Sequence, residues 1–238
     1  MSPAKDLNQF KVIKSDRLYI KVADQIRSLI DSEVFKPGDR LPSERELAEK
    51  LGVSRPTIRE AMIALELSGV IEIRIGSGVY VSQKANKTEI VLTDEGIGPF
   101  EILEMRYILE AEMCALAAAR ITDAQIEALK MAINEMREEE TQPDASERAD
   151  QKFHLIIAEA CQNSAIYETI NWLWELRLKS AISSAFLKSI RKEGIHPSIE
   201  DHERIVSALA QRNPEKARNA MQVHIENATA NAATHFGK

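Results

Sequence analysis

Apolar residues at Tyr19, Val22, Ile26, Leu29 and Ile30 recur at the three-and-four spacing of a helix that buries one face, predicting a helix over residues 19–33. A shorter helix is predicted to start at Ser43, where Ser43 and Glu46 form an S-x-x-E capping box ahead of Leu47, Ala48 and Leu51. Gly52 then supplies the left-handed residue that a tight turn needs. Ser54 is placed to N-cap a third helix, and Pro56 falls in its first turn, where a missing N–H costs little. Leu47, Leu51, Val53, Ile58 and Ala61 face inward, which leaves Arg55 and Arg59 one turn apart on the outer face. Gly69 closes this helix, and 70–75 and 79–81 read as short β-rich runs around the turn Gly76-Ser77-Gly78. Phe35–Pro42 reads as a connecting turn. A helix-turn-helix followed by a β-hairpin is a winged helix, and the second helix of the pair is the one that reads DNA.

Beyond Phe100 the pattern is helical throughout. Stripes of period 3.6 cover Phe100–Arg120, Asp123–Glu140, Ser146–Cys161, Ala165–Leu187, Ser198–Arg212 and Pro214–His235. Breaks fall at Thr122, at Thr141-Gln142-Pro143-Asp144, at Gln162-Asn163-Ser164, at Gly194-Ile195-His196-Pro197 and at Asn213-Pro214. The expected architecture is mainly α: a winged helix-turn-helix with a small hairpin wing over 1–82, a linker over 83–97, and an antiparallel all-α bundle over 98–238.

Composition sharpens this division. The net charge of −6 looks wrong for a DNA-binding chain, but residues 1–84 hold 14 Lys and Arg against 12 Asp and Glu, while the remainder holds 17 against 25. A slightly basic head joined to an acidic bundle keeps the bundle off phosphates. No apolar run approaches the roughly 20 residues of a membrane span, and no secretory segment opens the chain, so a cytoplasmic location is expected. Cys114 and Cys161 sit in apolar helical patterns and read as buried free thiols.

Two sets of side chains carry chemistry. In the head, Arg45, Arg55 and Arg59 suit a groove, because a guanidinium donates two bonds to the acceptor edge of guanine; Arg74 and Ser77 at the hairpin tip can reach phosphates or a minor groove. In the bundle, Asp150 and His154 lie one turn apart, His202 opens the fifth stripe and His224 lies in the sixth. One carboxylate and three imidazoles suit Zn²⁺, Ni²⁺ or Mn²⁺ with coordination positions left open, although an Asp/His pair at this spacing is more often a surface ion pair. His196 and His235 read as loop and tail residues. An enzyme is the competing class, since such a centre can activate water and Ser189-Ile190-Arg191-Lys192 matches S-x-x-K. That serine has no partner motif, and no P-loop, G-x-S-x-G or H-E-x-x-H string occurs.

The run from Phe35-x-Pro-Gly through PSERELAEKLGVSRPTIREA to Gly76-x-Gly-Val-Tyr-Val resembles the DNA-binding domain of the GntR family of bacterial transcription regulators. The resemblance implies major-groove and phosphate contacts from Arg45, Arg55 and Arg59, with Thr57 at the DNA surface and Gly76 at the wing tip. With Ser54, Arg74 and Ser77 these complete the expected DNA-binding set. The bundle is similar to the ligand-binding FCD domain of the FadR-type branch. That likeness implies a metal held by Asp150, His154, His202 and His224, and a ligand-binding Arg106 in the pattern Glu104-x-Arg106-x-x-x-Glu110. Gly98-Pro99-Phe100-Glu101-Ile102-Leu103-Glu104, Asn163-Ser164-Ala165 and His224-Ile225-Glu226-Asn227 resemble regulators of hexuronate catabolism. The implied protein is not an enzyme but a homodimeric repressor on a palindromic double-stranded DNA operator, released by a small carboxylate, a sugar acid above all. A metal-sensing repressor, or a sensor of lactate or a 2-keto acid, stays open beside it.

Overall fold

The computed structural model of the chain describes residues 17–83, 96–141 and 147–236. Helices α1 (Leu18–Asp31), α2 (Glu44–Leu51) and α3 (Arg55–Leu67) lead into an antiparallel hairpin of β1 (Ile71–Arg74) and β2 (Gly78–Val81). The capping box forms as expected: Ser43 N–H donates to the Glu46 carboxylate at 2.9 Å and Glu46 N–H to Ser43 Oγ at 3.3 Å. Gly52 takes φ +67°, and Ser54 Oγ accepts from Thr57 N–H. The hairpin register pairs Ile71 with Val81 and Arg74 with Gly78. The connecting turn does more than connect. Gly38 N–H donates to Val81 O, Val81 N–H to Asp39 O and Leu41 N–H to Val79 O, each at 2.9 Å, so this stretch satisfies the free edge of β2.

The bundle follows as α4 (Pro99–Ala118), α5 (Asp123–Glu140), α6 (Arg148–Ala160), α7 (Ser164–Lys179), α8 (Ala181–Lys192), α9 (Ile199–Ala210) and α10 (Pro214–Ala233), closed by a 3₁₀ turn at Thr234–Phe236. The single helix expected over Ala165–Leu187 is two. Ser180 breaks it with an extended ψ of 120°. The break coincides with a long-range clasp: Ser180 Oγ and Ser183 Oγ both donate to Ile97 O, at 2.6 and 2.7 Å. Most of the expected linker, and the break at 142–144, lie outside the described residues. No described helix is long and apolar enough to cross a membrane.

Two hydrophobic clusters form the interior. One fills the bundle around Cys114, Leu129, Phe153, Ile157, Trp174, Leu209 and Ile225. The other begins in the winged helix with Tyr19, Ile26, Ile58, Leu65 and Val81 and continues into Phe100 of α4, Ile182, Phe186 and Ile190 of α8, and Phe236. Three aromatic rings weld this junction, with Phe100 centred 5.6 Å from Phe186 and 5.9 Å from Phe236. The head and the bundle therefore share a core. Cys114 and Cys161 are buried free thiols.

An alanine at Gly52 must hold the same positive φ, which costs an L-residue roughly 1–2 kcal/mol. Urea unfolding of Gly52→Ala is expected to show that loss; unchanged stability would mean the turn takes another conformation.

Candidate metal centre and reading face

The expected DNA-contacting residues divide into an exposed set and a covered set. Arg45, Ser54, Arg55, Arg74, Gly76 and Ser77 are exposed. Arg74 lies over the Tyr80 ring, 4.4 Å from its centroid, and Ser77 Oγ shares a 2.8 Å hydrogen bond with Tyr80 Oη, which orders the wing tip. Thr57, expected at the DNA surface, is buried, and its hydroxyl meets Ser54 Oγ at 2.8 Å. Arg59 is not on the open outer face beside Arg55. Its side chain retains 12% exposure, against 54% for Arg55. Glu44, which the sequence reading did not single out, holds both: Arg59 donates to it from Nε at 2.6 Å and Nη2 at 2.9 Å, and Arg55 pairs with the same carboxylate.

The four bundle residues converge. The candidate donor atoms of Asp150, His154, His202 and His224 lie within 4.8 Å of one another, and all four residues are buried. Helix geometry explains how. On α6 the inward stripe is Ala149, Asp150, Phe153, His154, Ile157 and Ala158, so the aspartate and histidine occupy core positions rather than a solvated face. His202 lies on the buried stripe of α9 with Ile205, Val206 and Leu209, and His224 on that of α10 with Ala217, Met221 and Ile225.

The surroundings set which nitrogen each imidazole offers. His202 Nδ1 lies 2.7 Å from Ser198 O, which anchors that side of the ring on the backbone, and Nε2 turns to Asp150 Oδ1 at 3.0 Å, inside the cluster. His154 Nδ1 lies 2.5 Å from Glu110 Oε2, which leaves His154 Nε2 facing the cluster. His224 has no such partner: its Nδ1 is buried with no hydrogen bond among the described residues. Burial, helped by the neighbouring His202 and His154, holds His224 well below the usual histidine range. Burial alone would raise Asp150, but hydrogen bonds from His154 and His202 hold it below the usual carboxylate range. A neutral imidazole with an orphaned nitrogen, two others anchored through Nδ1 with Nε2 turned inward, and an ionised carboxylate are a donor set that suits a divalent cation, which takes the place of the protons the rings now share with carboxylates.

Arg106 and Glu110 complete the interior. Arg106 Nε donates to Glu110 Oε1 at 2.7 Å, and its guanidinium lies 4.3 Å from the Trp174 ring centroid. Burial works against the Glu110 carboxylate, but Arg106 and His154 outweigh it and hold the pKa at about 2. Arg106 is thus paired with Glu110 beside the cluster and also lines a cavity next to it, a placement its spacing did not reveal. A cavity beside the cluster is lined by Arg106, Asp150, Arg177, His196 and His224, with Pro99, Phe186, Ile190 and Ala232 on its apolar side. Arg177 pairs with Glu147 and lies 3.6 Å from Asp150 Oδ2. His235 is not a tail residue but buried, bonded at 2.8 Å to Glu193 and 3.2 Å to Glu66.

Replacing Glu110 with alanine strands the Arg106 charge in the interior and is expected to destabilise the chain by about 3–5 kcal/mol in urea unfolding. A loss below about 1 kcal/mol would mean that the pair is solvated.

The comparisons with known proteins agree with this anatomy. Residues 18–81 match the model for bacterial regulatory proteins of the gntR family, and residues 101–227 match the FCD domain. The chain is 37% identical over 214 residues to a Uxu operon regulator of Haemophilus influenzae, covering 89% of this chain and 80% of the relative. It is 36% identical to the Uxu operon transcriptional regulator of Escherichia coli, covering 90% and 86%. Identity to the Exu regulon transcriptional regulator of the same species is 32%, over 91% and 85%. A winged helix with the expected caps and wing, fused to a helical bundle that matches FCD, places the chain in the GntR family of DNA-binding transcriptional regulators, in its FCD-bearing branch.

Proposed function

We propose that this regulator is a repressor of a sugar-acid, specifically hexuronate, catabolic operon, and that a small carboxylate in the cavity beside His224 releases it from its operator. Its similarity to regulators of the Uxu and Exu operons supports the effector class. Arg45, Arg55 and Arg59 make the principal operator contacts, with Ser54, Thr57 and the wing residues Arg74, Gly76 and Ser77 beside them. The chain works as a homodimer on a palindromic site, because one reading helix buries too little surface for strong specific binding.

Asp150, His154, His202 and His224 hold a divalent ion, with Zn²⁺ ahead of Ni²⁺ or Mn²⁺ for a set rich in imidazole. When bound, such an ion supplies open Lewis-acid positions for a carboxylate and a neighbouring hydroxyl oxygen. The observation that carries the reading is the charge lining the cavity. Arg106 is paired with Glu110 and Arg177 with Glu147, so a divalent ion held beside Asp150 leaves the completed cavity with one uncompensated positive charge. Such a space favours an organic anion, which speaks for an acid sensor over a sensor of the metal itself. The Arg106 and Arg177 guanidinium groups orient the carboxylate. His196 Nδ1, buried without a partner among the described residues, suits a hydroxyl further along the ligand.

Transmission follows from the shared core. Phe186, Ile190 and Ala232 line the cavity and also belong to the cluster that includes Ile58 and Leu65 of α3. A ligand that presses on this wall favours one placement of the reading head over another, and only that difference in affinity can move DNA binding.

The metal-loaded full-length chain is expected to melt higher with galacturonate, glucuronate or fructuronate, by the equivalent of about 2.7 kcal/mol at a hundredfold excess over Kd. Those acids are also expected to lower operator retention. Stabilisation by lactate or a 2-keto acid and by no sugar acid would overturn the effector class. Elemental analysis is expected to find about one ion per chain in the wild type and little in His202→Ala. Arg177→Ala is the cleaner ligand test, because Arg106 also braces Glu110: sugar-acid affinity should fall about tenfold or more with the ion retained.

A further inference from the structure

We propose that the docking of the winged helix on the bundle is an autoinhibitory, proton-dependent latch that withholds Arg59 from DNA until the contact opens. This rests on Arg59 being a DNA contact and is independent of which acid fills the cavity. Arg59 is covered in the docked arrangement. Glu44 takes two of its hydrogen bonds, and Phe100, from the first turn of α4, lies 5.0 Å below its guanidinium carbon. Glu44 belongs to the reading head and travels with it, so it is Phe100, packed against the guanidinium, that keeps a base edge from the same side chain while α4 is docked.

Two grips hold α3 in place, and both contain a proton. The first is Glu60, the residue after Arg59, which is completely buried. Its Oε1 accepts from Glu101 N–H at 2.9 Å, in the first turn of α4, while Oε2 has no partner among the described residues. Gly98 makes room for it: a Cβ there would lie 2.0 Å from the Glu60 carboxyl carbon. Burial, aided by the nearby Glu101 and Glu104 charges, pushes this carboxyl up to about 8, so it docks as the neutral acid.

The second grip is His235 in the closing 3₁₀ turn. Its Nδ1 lies 2.8 Å from Glu193 Oε1, just past α8, and its Nε2 lies 3.2 Å from Glu66 Oε2, near the end of α3. Both acceptors are carboxylates, so both nitrogens must carry hydrogen and the ring docks as the imidazolium. The other oxygen of Glu66 accepts from Ile73 N–H at 3.2 Å, which extends the clasp to the wing. The remaining contacts on the ring are aromatic: Phe186 of α8 at 5.4 Å and Phe236 at 5.3 Å between centroids. Burial alone would lower His235, but Glu66 and Glu193 outweigh it and raise its pKa.

Both groups therefore bind protons more tightly docked than free, and the sign is the same for each. Docking is strongest below about 4.5, where both groups are protonated docked or free; the Glu60 contribution fades from there until about 8, and that of His235 fades above about 6.5. DNA affinity should accordingly rise with pH, opposite to the usual loss as a protein sheds positive charge.

The test uses the full-length chain without added acid, and a duplex enriched by the wild-type protein from a random-sequence pool. At constant salt, wild-type affinity is expected to rise at least threefold between pH 6.5 and 8.5. His235→Ala and the milder Glu193→Gln should bind at pH 6.5 as tightly as wild type does at pH 8.5, with flattened pH profiles. Amide exchange at Glu101 should quicken in both variants. Equal affinities with a flat wild-type profile would overturn the latch, as would weaker binding by variants of unchanged melting temperature. Arg59→Ala in the Glu193→Gln background separates the two assumptions. Loss of binding there supports Arg59 as the withheld contact, whereas unchanged binding shows that the arginine assignment, not the clasp, has failed.

Discussion

Burying ionised groups in an apolar helical bundle is costly unless each finds a partner, and this constraint organises the C-terminal half of the chain. Glu110 and Asp150 stay ionised because Arg106, His154 and His202 surround them. Arg106 in turn rests against Trp174. The network draws α4, α6, α7, α9 and α10 together around one point, and the hydrophobic cluster packs around what the charges have fixed. His224 is a neutral ring with an unsatisfied nitrogen, and His196 across the same cavity carries another, among the few buried groups here that find no partner among the described residues. A fold tolerates such a group when something else is meant to complete it.

The second constraint is that the reading head has no separate interior. Phe100, Ile182, Phe186 and Phe236 come from the bundle, yet pack in the same cluster as Ile58 and Leu65 of the reading helix. A change in the cavity need not travel along a wire of side chains, since Phe186 and Ile190 face it directly. Interiors packed this densely respond to a displaced wall by shifting as units. The cavity and α3 lie on two sides of one packed layer.

How much of this the sequence announces depends on whether the signal is local. The winged helix is written in neighbours: Ser43 with Glu46, Gly52, and Ser54 with Thr57 each specify a cap or turn within four residues. Asp150, His154, His202 and His224 are legible in another way, as polar residues at the buried positions of apolar stripes. Glu110 appears in the sequence only as the close of the pattern around Arg106, and its role is harder to see, because apolar Met105 and Ile108 stay exposed on α4 and the stripe expected there does not single out its inward face. Glu44 and Phe100 as partners of Arg59, and Glu66 and Glu193 as partners of His235, involve contacts between residues distant in the chain, which periodicity cannot report. The break at Ser180 belongs with these. Its apolar pattern continues across the junction, and the Ile97 carbonyl, more than eighty residues earlier, takes the Ser180 and Ser183 hydroxyls where the helix breaks.

That break gives α8 a separate axis, with one face toward the effector space and the other toward the reading head. Change on α8 itself would disturb recognition and transmission together. The loop after it, from Ile195 to Ser198, borders the same space, and among these four only Ile195 packs against the shared core. Divergence in what the cavity accepts is thus cheapest at His196 and Pro197, since Ser198 caps α9 and so supports His202. A lineage could exchange its chemical signal there while inheriting the lever unaltered.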